Sequence, residues 1–459
     1  MSVDLRQIGQ LSLFEQVAWR TTVQIEPNHR LVILCKSIPW EELMGTAVPI
    51  LYDEQGVSAG TGRSLDLRAH LGAYILQTTY GWTDRWTEEM LRFYIPARIF
   101  CGYLESTGSL DHTSIEDFRN RFGDKGARLI TEDMLKVAHK FGLTEPDDVD
   151  MDTTVQEAGI THPTEMKLMG HFMKRLLALH GKLKDVCGKG IAGAKLLSQQ
   201  FKECLAQYRF FAKDKATKSE LIRHAVSLSS KGLVQLTQLL PGSGGFDKLQ
   251  GRYQEEILRL SSLGPLLMEQ MIYWLGTGKV AKDKIVSLWK LVPTAIPKGK
   301  IGKSVEFARK WIVNCYRGGY MLVMAPENPK ISDQQCVLES LSLHSTVFEE
   351  MPKTYGTDRG MWSTENLEFC LSAGVEKIAI QPKGRATALV SQQDQRRLAN
   401  RRAGIEPRIG HLKTRGLGRS KMKSDMGDLI SGYRSALSWN LNLLIRDLTA
   451  KTVDTVPQC

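Results

Sequence analysis

A mixed α/β domain, split by a long all-helical insertion and preceded by a helical module, is the architecture that this 459-residue sequence predicts. Three observations predict it. Apolar residues recur three and four apart through much of residues 1–125 and again from Glu165 to about Pro293, the spacing of helices with one inward face. Between those stretches, PDDVDMDTTVQEAGITHPT changes to alternation with β-branched residues, as in a strand. After PKGKIGKS the period shifts toward two, and short strands then alternate with capped helices, the order of an α/β domain. Hydrophobic residues at 42% and charged residues at 24% are those of a folded chain, which excludes global disorder and fibrous repeats.

The elements follow in order. LDLRAHLGAYILQTTY and RWTEEMLRFYIPARIF read as helices, and Trp82, Trp86, Phe93 and Tyr94 recur at helical spacing, which assigns them to the module's core. Asp111 to Ser114 supply capping groups for IEDFRNRFG, with Ile115 and Phe118 inward. The first strand ends before His162-Pro163. HFMKRLLALHGKL, AKLLSQQFKECLAQYRFFAK, GLVQLTQLL and EEILRLSSLGPLLMEQMIYWLG then form the helical block, with a turn at PGSGG. VEFARKWIVNC and YMLVMAP flank Arg317-Gly318-Gly319 as a β-hairpin. SDQQCVLESLSLH is a helix with Ser332 as N-cap, KTYGTD a strand, STENLEFCLSAG a capped helix and VEKIAIQPKG a strand. From about Ser391 the basic stretch is helical, and SGYRSALSWNLNLLIRDL closes the chain as an amphipathic helix. The expected domains are 1–125, a helical module; 126–165 with 296–450, the split α/β domain; and 166–295, the insertion.

The formal net charge of +11 is unevenly spread. Residues 166–290 hold 21 Lys/Arg against 9 Asp/Glu, and residues 383–423 hold 12 against 2, so the rest of the chain is acidic. Two cationic blocks on an acidic frame point to a directed surface for phosphates. The eight cysteines form no C-x-x-C pair and no zinc spacing, as expected of reduced thiols in a cytoplasmic protein. MSVDLRQIGQ lacks the apolar core of a signal peptide, and no membrane span or small-molecule cofactor is expected.

Three acids stand at unusual places: Asp152 within the first strand, Asp358 at the end of another, and Glu406 in the most basic helix. Carboxylates brought together repel one another unless cations intervene, and hard oxygen ligands suit Mg²⁺ or Mn²⁺. Asp150 shares a strand face with Asp152. Gly356 and Gly360 bracket Asp358 in YGTDRG, leaving room for a backbone or phosphate. Arg402, Glu406 and Lys413 fall within roughly 40° of one another on an ideal helix face. Pro407 removes the bond to the Ala403 carbonyl, so the helix kinks there or restarts with Pro407 first and Glu406 as its cap.

DTTVQEAGITHPTE, PKGKIGKSVEFARKW, YGTDRG and RRAGIEPRIGHLKTRGLGRS, with YGWTDRWTEEMLRFY and LDHTSIEDFRNRFG, resemble in order the motifs of insertion-sequence DDE transposases of the group typified by insertion sequence five. The resemblance implies an RNase H-like mixed sheet flanked by helices. It makes Asp152, Asp358 and Glu406 the catalytic and metal-binding triad, with two Mg²⁺ ions that Mn²⁺ could replace. It also implies DNA contacts from Arg402 and Lys413, with Arg401, Arg408, Arg415 and Arg419 beside them. Ala399 departs from the Tyr of the related Y-x2-R-x3-E-x6-K signature, and Glu165 from a frequent Asp. The implied activity is metal-dependent cleavage of double-stranded DNA at a mobile element's terminal inverted repeats, then strand transfer to target DNA by a homodimer associated with the nucleoid. His162, His171 and His411 are expected to be structural. A DNA-binding protein or repressor that has lost cleavage, and a simple Mg²⁺-dependent nuclease, are the alternatives.

Overall fold

The structure is a computed structural model that describes residues 28–52, 65–103, 109–160, 162–187, 191, 193–237, 246–300, 303–380 and 391–454. The PGSGG turn lies outside the described residues, as do Lys383 and Arg385 of the second basic block. The chain divides into two compact units: Met1–Ala158 with Ala308–Cys459, and Gly159–Phe307.

The first unit begins with helices α1 (Arg30–Ser37), α2 (Trp40–Leu51), α3 (Leu67–Tyr80), α4 (Asp84–Phe93), α5 (Ile95–Phe100) and α6 (His112–Lys140). α3 is buried continuously from Ala69 to Thr79, as expected of a helix surrounded by others rather than laid on a surface. Asp66 caps its start by accepting the Ala69 amide, and Gly81, at φ 69°, ends it in the left-handed conformation. Asp111 accepts the amides of Thr113 and Ser114 at 2.9 Å, and Ile115 and Phe118 are buried as their spacing predicts. An expected boundary at residue 125 falls inside α6, whose inward residues share one hydrophobic core with the sheet. The aromatic assignment also needs correction. Trp82 and Tyr94 pack on the core, but Trp86 is 48% and Phe93 77% exposed, because α4 buries the face carrying Thr87 and Leu91.

The sheet contains β1 (Asp148–Glu157), β2 (Thr294–Lys300), β3 (Lys303–Tyr316), β4 (Met321–Met324), β5 (Thr354–Thr357) and β6 (Lys377–Ile380). Its order is β2-β3-β1-β5-β6, with β4 also on β3. β3 is antiparallel to β1 and β4, whereas β5 is parallel to β1 and β6 to β5. Parallel neighbours require crossovers. Helices α11 (Cys336–Phe348) and α12 (Thr364–Ser372) lie in those connections. Ser332 caps the turn before α11 by accepting the Gln335 amide, rather than capping the helix itself, which starts four residues later. Ser363 accepts the Asn366 amide and caps α12 as expected.

The basic stretch forms α13 (Gln392–Ala403) and α14 (Ile405–Leu412), followed by a π turn at Lys413–Leu417. The ladder is interrupted at Gly404, one turn before Pro407, whose ring nitrogen has no hydrogen to give Ala403. The restart falls at Ile405, two residues before Pro407. Arg402, Glu406 and Lys413 thus belong to three successive segments rather than one continuous helix face. α15 (Ser424–Asp454) packs against α6, α3, α1 and β4. A methyl group on its Gly432 would stand 2.0 Å from Cζ2 of fully buried Trp311.

The second unit holds α7 (Glu165–Cys187), α8 (Ala194–Ala206) with a π turn at Gln207–Phe211, α9 (Lys215–Thr237), α10 (Gly251–Thr277) and β2. Phe172, Leu176, Leu260 and Leu267 lie in its separate core. Gly264 lets α10 approach Leu233 and Phe172, where a Cβ would meet side-chain carbons at 2.9 to 3.1 Å. Glu165 pairs with Lys284. Among the described residues no helix is long and apolar enough to cross a membrane.

Candidate active site

β1 alternates, so Asp148, Asp150 and Asp152 project to one face. α13 supplies two consecutive arginines to these acids. Arg401 chelates Asp150, with Nε donating to Oδ2 at 2.7 Å and Nη2 to Oδ1 at 2.9 Å, while Nη1 lies 2.8 Å from Asp148 Oδ1. Asp150 is only 5% exposed. Burial pushes its carboxyl pKa up, the Arg401 hydrogen bonds and charge oppose that, and Asp148 adds to it. Gly356 sits opposite Asp150 in the parallel β1–β5 register, and a Cβ there would stand 2.7 Å from Asp150 Oδ1. Its missing side chain therefore accommodates this clamped carboxylate, not the approaching phosphate that sequence reasoning expected. At Gly360 a Cβ would meet only Asp358 Oδ2, at an ordinary 3.9 Å.

The parallel β1–β5 pairing reaches Asp150 opposite Gly356, and Asp358 follows directly after the end of β5 at Thr357. Asp152 is half-buried and accepts the Thr153 amide at 2.7 Å. Burial raises its pKa most. The Thr153 amide and the Arg402 charge oppose the shift, while the charges of Asp358 and Glu406 reinforce it. Asp152 thus lies within electrostatic reach of both other predicted acids and of the predicted cation. Asp358 accepts the Arg359 amide at 2.7 Å and pairs with Arg402 Nη1 at 3.1 Å. Glu406 is exposed in the first turn of α14, where the helix dipole favours a carboxylate.

These acids have the hard oxygen donors a divalent cation prefers. Among the described residues, however, no three His, Cys, Asp or Glu side chains are gathered closely enough to hold a metal ion. The counter-charge beside Asp152 and Asp358 in this arrangement is Arg402.

The remaining predicted cations divide into two groups. Arg401 is occupied by Asp148 and Asp150. Arg408 is half-buried, with Nη1 3.1 Å from Cys315 Sγ and its guanidinium against Gly319. Both make internal contacts in this arrangement. Lys413, Arg415 and Arg419 are exposed, although Arg415 also donates to Ser438 Oγ at 3.1 Å. The side chain of Ala399 lies outside the described residues. His162, His171 and His411 each lie against an aromatic ring, of Phe307, Trp289 and Trp439 respectively.

Sequence reasoning missed the Arg401 clamp. Its available signal was the period-two spacing of Asp148 and Asp150, which sets two negative charges on one strand face where a single cation can serve both.

Comparison with known proteins adds an independent observation. Residues 20–121 match the profile of a family described as Transposase domain (DUF772). A Rhizobium meliloti protein described as uncharacterized protein ORF8 in nfe locus is 27% identical over 171 residues, covering 34% of this chain and 75% of that protein. No solved structure matches the chain. The domain match points to a transposition-related function and to DNA processing. It ends at residue 121, before Asp152, Asp358 and Glu406.

Proposed function

We propose that the chain is a DDE-type transposase that binds the ends of a mobile DNA element and catalyses strand cleavage and strand transfer. The carrying observation is the ion pair of Arg402 on α13 with Asp358 after β5 at 3.1 Å, beside Asp152 on β1, whose carboxyl pKa is raised chiefly by burial and further by the charges of Asp358 and Glu406. These groups belong to four separate segments of the chain. The sheet supports an RNase H-like assignment, since the antiparallel run β4-β3-β1 is extended by parallel β5 and β6. The transposase-domain match at residues 20–121 supports the biological context.

By the resemblance, Asp152, Asp358 and Glu406 would hold Mg²⁺, or Mn²⁺ in its place, only after drawing closer together than they stand here, with Arg402 releasing Asp358. Two bound ions would supply an activated water and offset charge on the leaving oxygen. The protein's own groups do the rest. Arg402 balances the acids before substrate arrives and would then face the scissile phosphate. Arg401 keeps β1 and α13 in register by holding Asp148 and Asp150. Exposed Lys413, Arg415 and Arg419 would follow the DNA backbone, and joining two element ends calls for a homodimer.

The test uses labelled DNA from the gene's flanks, where inverted repeats mark element ends, incubated with the protein and Mg²⁺. Asp152→Asn, Asp358→Asn and Glu406→Gln should each abolish cleavage while end binding persists. Full cleavage by any one of them would overturn the triad. Binding without cleavage by the unaltered protein would instead favour a repressor, and indiscriminate nicking a simple nuclease.

A further inference from the structure

Phe210 and Phe211 are each 74% exposed, near the end of the π turn that follows α8. Their exposure arises from the local winding. α8 buries Ala194, Leu197, Phe201 and Cys204, and Tyr208 packs on the same core. Regular α-helical spacing after Cys204 and Tyr208 would bring residue 211 inward. Instead the Ala212 amide bonds the Gln207 carbonyl five residues back, at 3.0 Å. The wider turn leaves two adjacent phenyl rings in solvent. Arg209, Lys213 and Lys215 are exposed beside them in sequence, with one exposed acid, Asp214, among them, on a segment whose wider sequence from 166 to 290 has 12 more cations than anions.

We infer that Phe210 and Phe211 form a stacking tip for unpaired DNA bases, held near the strand by the surrounding cations. The cations complement phosphates, whereas the rings have no counterpart on a closed duplex, whose base faces are already stacked. Unpaired bases offer those faces, and aromatic stacking on them is tolerant of sequence. This inference rests on the DNA-processing role proposed above and adds a site outside the acidic cluster. Anionic lipid is the other surface that combines negative charge with an apolar layer. DNA is favoured by the transposase-domain match.

The full chain is titrated by fluorescence anisotropy against a closed duplex and the same duplex with a three-base bubble. A 2-aminopurine in the bubble reports stacking. The unaltered protein should prefer the bubble and quench 2-aminopurine. Phe210→Ala/Phe211→Ala should lose about tenfold or more in bubble affinity, the scale of stacked-base contacts, without loss on the closed duplex. Phe210→Trp/Phe211→Trp should retain preference and quenching. Equal loss on both DNAs, or no loss on either, overturns the stacking tip while leaving the transposase proposal standing. Failure of the unaltered protein to bind any DNA overturns both. Unchanged bubble binding, with loss of binding to phosphatidylserine vesicles in the alanine variant, overturns the DNA assignment in favour of a membrane contact.

Discussion

Replacing Arg401 with methionine separates a structural clamp from a DNA contact. Methionine keeps an unbranched apolar stem but removes the cation that makes two hydrogen bonds to Asp150 and one ion-pair contact to Asp148. Asp150 is almost completely buried. Removing one partner of a buried ion pair costs roughly 3–5 kcal/mol, because the remaining charge is stranded. Asp148 has greater solvent access, so loss of its contact adds at most about 1 kcal/mol. A total near 4 kcal/mol, with a urea slope of about 3 kcal/mol/M, lowers the midpoint by roughly 1.3 M. Tryptophan fluorescence follows the transition through buried Trp311 in the same unit.

The loss should diminish on acidification. Without Arg401, the Asp150 pKa rises further in the folded state, so protonation favours folding as pH falls through that raised value. Asp150→Asn combined with Arg401→Met should recover most of the midpoint by removing the stranded charge. An unchanged midpoint in Arg401→Met, with weakened DNA binding, would refute the clamp and restore the phosphate contact that sequence reasoning expected.

Two other perturbations probe the same unit. Gly432→Ala places a methyl group 2.0 Å from the Trp311 ring carbon, so α15 must shift, and overpacking should cost about 3 kcal/mol or more; an unaltered urea midpoint would show that the contact relaxes freely. His344 is buried, stacked on Tyr316 and paired with its hydroxyl at 3.2 Å. Burial lowers its pKa from 6.5 to about 4, so the fold keeps it neutral and loses stability as pH falls from 6.5 toward 4. At pH 5 the loss is about 2 kcal/mol, and His344→Gln should flatten that part of the pH–stability curve; an identical slope would refute the assignment.

The helical face of α6, the hairpin of β3 and β4, and the cap at Ser363 were legible because each is encoded within one segment. The expectation that Asp152 and Asp358 act together came only through resemblance to a family, since 206 residues of sequence number separate them and strand order carries no local signal. Helical periodicity assigned Trp86 and Phe93 to a core because spacing identifies a shared face without identifying its neighbour. A break was expected at Pro407 but falls at Gly404, whose φ of -74° and ψ of -12° are open to any residue, so no residue type marked the position. Gly356 was noticed for a different reason from the one the structure supplies. Room for a side chain of the neighbouring strand becomes apparent only after β1 and β5 pair.

The cation count of the second basic block overstates the charge available to DNA. Arg401 balances Asp148 and Asp150, Arg402 balances Asp358 and Asp152, and Arg408 lies against Cys315. Three of the block's twelve cations are therefore engaged within the fold before any phosphate arrives, two of them by acids. Exposed Arg396, Arg397 and Arg419 are better placed to release counterions on binding. Each phosphate contact contributes about 0.9 to the slope of log affinity against log salt. Arg396→Ala/Arg397→Ala/Arg419→Ala should reduce that slope by about 2.7, with the urea midpoint nearly unchanged. Arg401→Met should do the reverse, lowering the midpoint while sparing the slope of the molecules that remain folded. If both variants lower the slope equally, the internal pairing of Arg401 yields to DNA, and the charges at β1 must be able to rearrange when substrate binds.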